Sequence, residues 1–165
     1  MLRSTHELLK VLISELKQRI LSDMPEQISQ AYETGGYWHD NPHWEGMIID
    51  QQQLAKKIDD LSMLLHNPIL IDELNPSCSL VSVGTEVKVE NRNSGKTERF
   101  RIVGPADIIF NPLCKDKESG YISVKTPVAR ALLGKTIGQV VVVKLPRQEM
   151  NLLIADIGLI DSSGS

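Results

Sequence analysis

The stretch Ile122-Ser123-Val124-Lys125-Thr126-Pro127-Val128-Ala129-Arg130-Ala131-Leu132-Leu133-Gly134 changes character midway. Ile122-Ser123-Val124 alternates as a short strand, and Thr126 to Gly134 is a helix of one to two turns. Thr126 supplies the side-chain oxygen of an N-cap, Pro127 stands where a missing N–H costs nothing, and Gly134 ends the helix. Strands surround this unit. Thr85 to Val89 and Glu98 to Ile102 alternate on either side of Asn93-Ser94-Gly95, which predicts a β-hairpin. Val140 to Leu145 is a buried-type strand, and Asn151 to Ile160 pairs with it across Pro146-Arg147-Gln148. Phe110 to Gly120, polar with Lys115, Asp116, Lys117 and Glu118, is expected to be a surface loop.

The preceding half has a different period. Leu9, Ile13, Leu16, Ile20, Met24, Ile28 and Ala31 recur in steps of four and three, one stripe of a helix from Ser4 to about Thr34. Ser4 with Glu7 forms a capping-box start, and Pro25 predicts a bend. Residues 35–42, with paired glycines and Asp-Asn-Pro, signal a turn. A second stripe follows in Trp44, Met47, Gln51, Leu54, Ile58, Leu61 and Leu65, until Asn67-Pro68 stops the helix. Neither helix can bury its stripe alone, so the two should pack antiparallel. The fold class expected is α+β: an antiparallel helical hairpin over 1–70, a linker over 71–76, a β-rich domain over 77–161 and a tail over 162–165. A self-burying hairpin makes a monomer the default.

Composition narrows the function classes. Aromatics are 4% of the chain, too sparse for a large aromatic-lined ligand cavity. The net charge of −3 excludes a polycationic nucleic-acid binder, and residues 1–66 are acidic, with 6 Lys/Arg against 10 Asp/Glu. Cys78 and Cys114 have no CxxC or CxxH spacing and fit reduced thiols in a cytoplasmic protein. No apolar run approaches a membrane span. His39 and His43 flank Asp40, but Pro42 breaks the register that would align them and no third ligand is at hand, so solvated turn histidines are expected.

Three runs together resemble the Gre transcript-cleavage factors. These are Arg101-Ile102-Val103-Gly104, the segment Ile122 to Lys135, and Gly138-Gln139-Val140-Val141-Val142-Val143-Lys144-Leu145-Pro146. They follow the family's pattern of an ISV strand, an S/T-P-I/V-A/G-R-A-L-[IL]-G-K helix and a VVxVKxP strand, in order and at close to its spacing. Pro25-Glu26, Asp40-Asn41 and Gln51-Gln52 are looser matches in the helical half.

The resemblance implies an FKBP-like β domain that docks on the rim of the RNA polymerase secondary channel, with Thr126, Pro127 and Arg130 facing the polymerase. Asp107, placed in the loop upstream, is a weaker candidate for that surface. The hairpin would be a coiled coil reaching through the channel, in indirect contact with the nascent RNA and DNA. At its tip, Asp40 would assist the Mg²⁺ of the polymerase active centre, with Tyr37, Trp38, His39 and Asn41 as tip contacts. Trp38 would stack on a base or fold back on Trp44. Lys56 and Lys57 are candidates for phosphate contact. No cofactor is expected to bind tightly to the chain, and any RNA cleavage would be performed by the polymerase, so the chain itself is not expected to be an enzyme.

One departure from the family concerns the chemistry. The family tip carries two acids three residues apart, and here Tyr37 stands in the first acid's place. A phenol with a pKa of about 10 is a neutral, poor Mg²⁺ ligand. The same docking is therefore also compatible with a channel regulator that does not promote cleavage. A third reading, a peptidyl-prolyl isomerase, would follow from the FKBP-like fold alone, and fold does not imply function.

Overall fold

The computed structural model describes residues 1–34, 41–74, 78–116, 118–146 and 148–160. The chain divides into two compact units: Glu7–Pro68, and Met1–His6 together with Ile69–Ser165. The first six residues thus group with the sheet, whereas the sequence placed them with the hairpin.

The helical unit contains most of α1 (Arg3–Gln18), a π-type turn (Arg19–Asp23), α2 (Met24–Thr34) and α3 (Pro42–Leu65). The π-turn lies where Pro25 removes an N–H from the ladder, and the Met24 N–H reaches five residues back to the Arg19 carbonyl. The local response to Pro25 is a widened turn. Both predicted stripes point inward: Leu9, Ile13, Met24, Ala31, Ile58 and Leu61 are buried, and Leu16, Ile20, Ile28, Trp44, Met47, Gln51, Leu54 and Leu65 are half-buried. Within this unit α2 lies against α3. The order of contacts is antiparallel. The end of α2 meets the start of α3, with Asn41 Nδ2 donating to the Ala31 carbonyl (2.8 Å) and Tyr32 edge-on to Trp44 (6.4 Å between centroids). Arg19 and Met24 instead share a cleft with Asp50, Gln53, Leu54 and Lys57.

The second unit is built on a five-stranded sheet in the order β3-β2-β1-β5-β4. Its strands are β1 (Thr85–Asn91), β2 (Thr97–Val103), β3 (Tyr121–Ser123), β4 (Val140–Leu145) and β5 (Gln148–Leu159). The predicted hairpin is present, with Val87 opposite Phe100 and a turn ending at Gly95, whose φ of +69 suits glycine. β5 pairs antiparallel with both β1 and β4, and its register against β1 shifts at Lys88/Val89. β3 pairs parallel to β2, which requires a crossover. That crossover holds α4 (Pro105–Phe110) and α5 (Pro112–Lys115). The last helix, α6 (Pro127–Leu132), packs against β4.

Alternation puts Val87, Val89, Ile102, Val141, Val143, Leu152 and Ile154 on one face, where Ala129 and Leu132 of α6 cover them. Each buried Val, Leu or Ile there contributes about 1.5–3 kcal/mol on burial. A second cluster is separate: Leu2, Ile71, Val103, Cys114 and Ile160, with Val83, Ile108 and Tyr121 against it.

Two local expectations need correction. The Phe110 to Gly120 stretch is no simple surface loop, because Asn111 (1% exposed) and Cys114 (4%) are buried in or beside α5. Helix α1 begins at Arg3, so Ser4 is inside it, and the Ser4 Oγ accepts from Asn111 Nδ2 at 3.0 Å.

Candidate functional site

The sequence signature folds into a tight strand–turn–helix. The Thr126 Oγ1–H donates to the Ser123 carbonyl (2.8 Å), and the same oxygen accepts from the Ala129 N–H (3.3 Å). Thr126 thus closes the turn after β3 and caps α6. Ala129 and Leu132 are fully buried, so the helical period turns Pro127 and Arg130 outward, where both are exposed beside exposed Lys125. Behind the helix, Gly134 has φ +74, its N–H donates to the Val81 carbonyl, and the Val81 N–H donates to the Lys135 carbonyl, each at 2.8 Å. The capped helix is therefore tied to the body at both ends. Its outward residues form a fixed polar and cationic surface.

Asp107 does not join that surface. It lies in α4 rather than a loop and is fully buried. Its Oδ2 accepts from the Gly104 N–H (3.0 Å) and its Oδ1 from the Leu2 N–H (2.8 Å). Asn111 nearby accepts from the Leu113 N–H through Oδ1 and donates through Nδ2 to Ser4 and Thr5. Sequence reasoning missed this polar cluster. Gly-Pro-x-Asp at 104–107 and Asn-Pro at 111–112 do mark two helix starts, but their distant partners leave no local trace. Arg101 was also missed as a hub: it pairs with Glu86 (2.7 Å), donates to the Ser119 carbonyl (3.0 Å) and sits over the Tyr121 ring (5.3 Å).

Burial pushes the Cys114 thiol up to about 11, and the Asp107 carboxylate adds to the rise. The Tyr121 phenol is also raised, chiefly by burial, with the Arg101 guanidinium working against the rise.

In the helical unit Asn41 is 3% exposed, and its side chain is held at both ends: Oδ1 accepts from the Trp44 N–H (3.0 Å) while Nδ2 donates to the Ala31 carbonyl. It closes the hairpin and caps α3. Lys56 and Lys57 are exposed on α3, and Lys57 borders the cleft with Arg19 and Asp50, a space of about 380 Å³. Tyr37, Trp38, His39 and Asp40 lie outside the described residues. Among the described residues, no group of three or more His, Cys, Asp or Glu side chains is placed to hold a metal ion, and no helix is long and apolar enough to cross a membrane.

Residues 76–158 match the family model for the "Transcription elongation factor, GreA/GreB, C-term" domain. The chain belongs to the GreA/GreB transcription elongation factor family. The matched segment contains β1 to β4, most of β5, and α6 with its cap. Relatives extend the likeness beyond that domain. The transcription elongation factor GreA of Thermotoga petrophila is 30% identical over 146 residues, covering 87% of this chain and 86% of its own length. GreA of Amoebophilus asiaticus is 29% identical over 149 residues, 90% of either protein. Among solved structures, GreA factor homolog 1 (Gfh1) of Thermus thermophilus aligns over 92% of this chain and 93% of its own, at 20% identity and a TM-score of 0.39.

Proposed function

We propose that this GreA/GreB-family chain is an accessory elongation factor that binds bacterial RNA polymerase at the rim of its secondary channel and acts on paused or backtracked complexes. The reading rests on one observation above all. The family's signature segment is a capped helix with Pro127 and Arg130 exposed, in the same chain as a two-stripe helical hairpin. The sheet unit would be the FKBP-like docking domain, and the hairpin a coiled coil entering the channel. The factor would act as a monomer, without a tightly bound cofactor and without catalysing a reaction itself.

Asp40 is the side chain that would assist the polymerase's active-centre Mg²⁺, being a hard oxygen donor that immediately precedes Asn41 in the sequence. When bound there, that ion would supply the activation of water for phosphodiester cleavage. Lys56 and Lys57 would meet backbone phosphates.

The test uses stalled, backtracked elongation complexes with end-labelled RNA. The protein should shorten the 3′ end, and Asp40→Ala should slow that shortening at least about tenfold. Arg130→Glu should instead raise the protein concentration needed. Failure of the wild-type protein to alter either cleavage or nucleotide addition would overturn the proposal.

A second reading is favoured by Tyr37, which replaces a carboxylate with a neutral phenol. In that reading the factor docks in the same way but regulates the channel, and the assay returns slowed nucleotide addition with no shortening. The isomerase reading has less to support it. Phe100 packs against the sheet core and Tyr121 lies beneath Arg101, so neither offers a free aromatic wall.

A further inference from the structure

We propose that α4 and α5 form a polar latch on the first turn of α1, and that this latch opens as a local unit independent of the main sheet core. Chain segments far apart in sequence meet there. Asp107 holds the Leu2 N–H, and Asn111 holds the Thr5 Oγ1 (3.1 Å) and the Ser4 Oγ. From the other side, the Ile71 N–H donates to the Met1 carbonyl (2.9 Å), and Arg3 pairs with Asp72 (2.9 Å).

Three buried polar side chains, Thr5, Asp107 and Asn111, occupy the heart of this contact, each 1% exposed or less. Loss of Asn111 would leave the buried Thr5 hydroxyl without that donor, and loss of Asp107 would leave the Leu2 N–H without its acceptor. The apolar part of the latch, Leu2, Ile71, Val103, Cys114 and Ile160, is a small cluster of its own, distinct from the twelve buried residues of the sheet core. A satellite cluster joined through polar contacts is the kind of region that opens below the global unfolding free energy. Opening would free the first turn of the helix that leads into the hairpin.

The chain carries its own reporter. Cys114 is buried in the latch cluster, whereas Cys78 is exposed. A thiol reagent should modify Cys78 quickly and Cys114 only through opening, since the buried thiol is both covered and held protonated. The experiment follows modification of each cysteine by mass spectrometry in the full chain, together with amide hydrogen exchange of residues 2–6 and of β1 and β5. Asn111→Ala should speed modification of Cys114 about tenfold and exchange of residues 2–6 to a similar degree. Cys78 and the sheet amides should be unchanged. Thr5→Val, which nearly keeps side-chain shape while removing one acceptor, should give a rise of about threefold and guards against a variant that does not fold. A rise in Cys114 reactivity matched by the sheet amides would mean one cooperative core and would overturn the latch. So would unchanged reactivity in both variants.

Discussion

The helical unit and the sheet unit bury their apolar residues to different depths. In the sheet unit Val87, Val89, Ile102, Leu132, Leu152 and Ile154 are wholly removed from solvent. Along the hairpin stripes Leu9 reaches that state, but Ile13 and Ile58 keep 7%, and Leu16, Ile20, Ile28, Leu54 and Leu65 are only half-buried. The sequence of each half is comparably apolar in pattern, so periodicity is not the cause. A strand residue facing α6 has neighbours on its own strand, on adjacent strands and above. A hairpin residue has one opposing helix, and the flanks of its stripe stay wet. Depth of burial follows the number of layers.

The largest effect should separate the two units directly. Leu152→Ala is expected to cost about 3–5 kcal/mol, because the sheet core cannot collapse around the void. Leu61→Ala, at the thinner hairpin seam, should cost about 2 kcal/mol. Amide exchange of β5 and of α3, followed in both variants, gives the two free energies. Equal costs would show that layer number does not set the difference.

A smaller effect tests what closes the hairpin. Asn41→Ala removes the cap on α3 and leaves the Ala31 carbonyl without its donor, at an expected cost of about 1–2 kcal/mol. Asn41→Ser keeps an N-cap acceptor and loses the bond to Ala31, so it should cost less. Exchange of the first-turn amides of α3 reads both. If the two variants matched, the bond to Ala31 would be the whole of the contribution.

Local chemistry explains what the sequence alone made legible. Thr126, Pro127 and Gly134 each satisfy a rule that acts within a few residues, and the structure has them at the cap, first turn and end of α6. Strand alternation and the two helical stripes are equally local and are equally well preserved. What escaped notice depends on distance. Asp107 and Asn111 act on Leu2, Ser4 and Thr5, more than a hundred residues away, and nothing near 104–111 announces that. The same tertiary bond explains the misplaced helix start: Leu2 is fixed by Asp107, so α1 begins at Arg3, before the capping box that Ser4 and Glu7 suggested. At the candidate site, Thr126, Pro127 and Arg130 followed from the family resemblance, and the structure adds which of them are exposed.

The smallest effect is confined to alkaline solution and contrasts a buried thiol with a half-buried phenol of the sheet unit. Cys114 holds its proton up to about 11 in the folded chain, against an ordinary thiol value near 9.0. Between those values the unfolded chain has lost that proton and the folded chain has not. The unfolded state therefore binds fewer protons, and stability falls as pH rises from about 9 to about 11. Below pH 9 the thiol contributes no slope. Tyr121, raised above 10.0 mainly by burial, works in the same direction but begins one unit later. Denaturant midpoints measured across this range should decline in the wild type. Cys114→Ala should flatten the portion from pH 9 to 10, and Tyr121→Phe should flatten only the portion above 10. A Cys114→Ala profile as steep as the wild type below pH 10 would mean that the thiol is not the group whose burial the folded state defends.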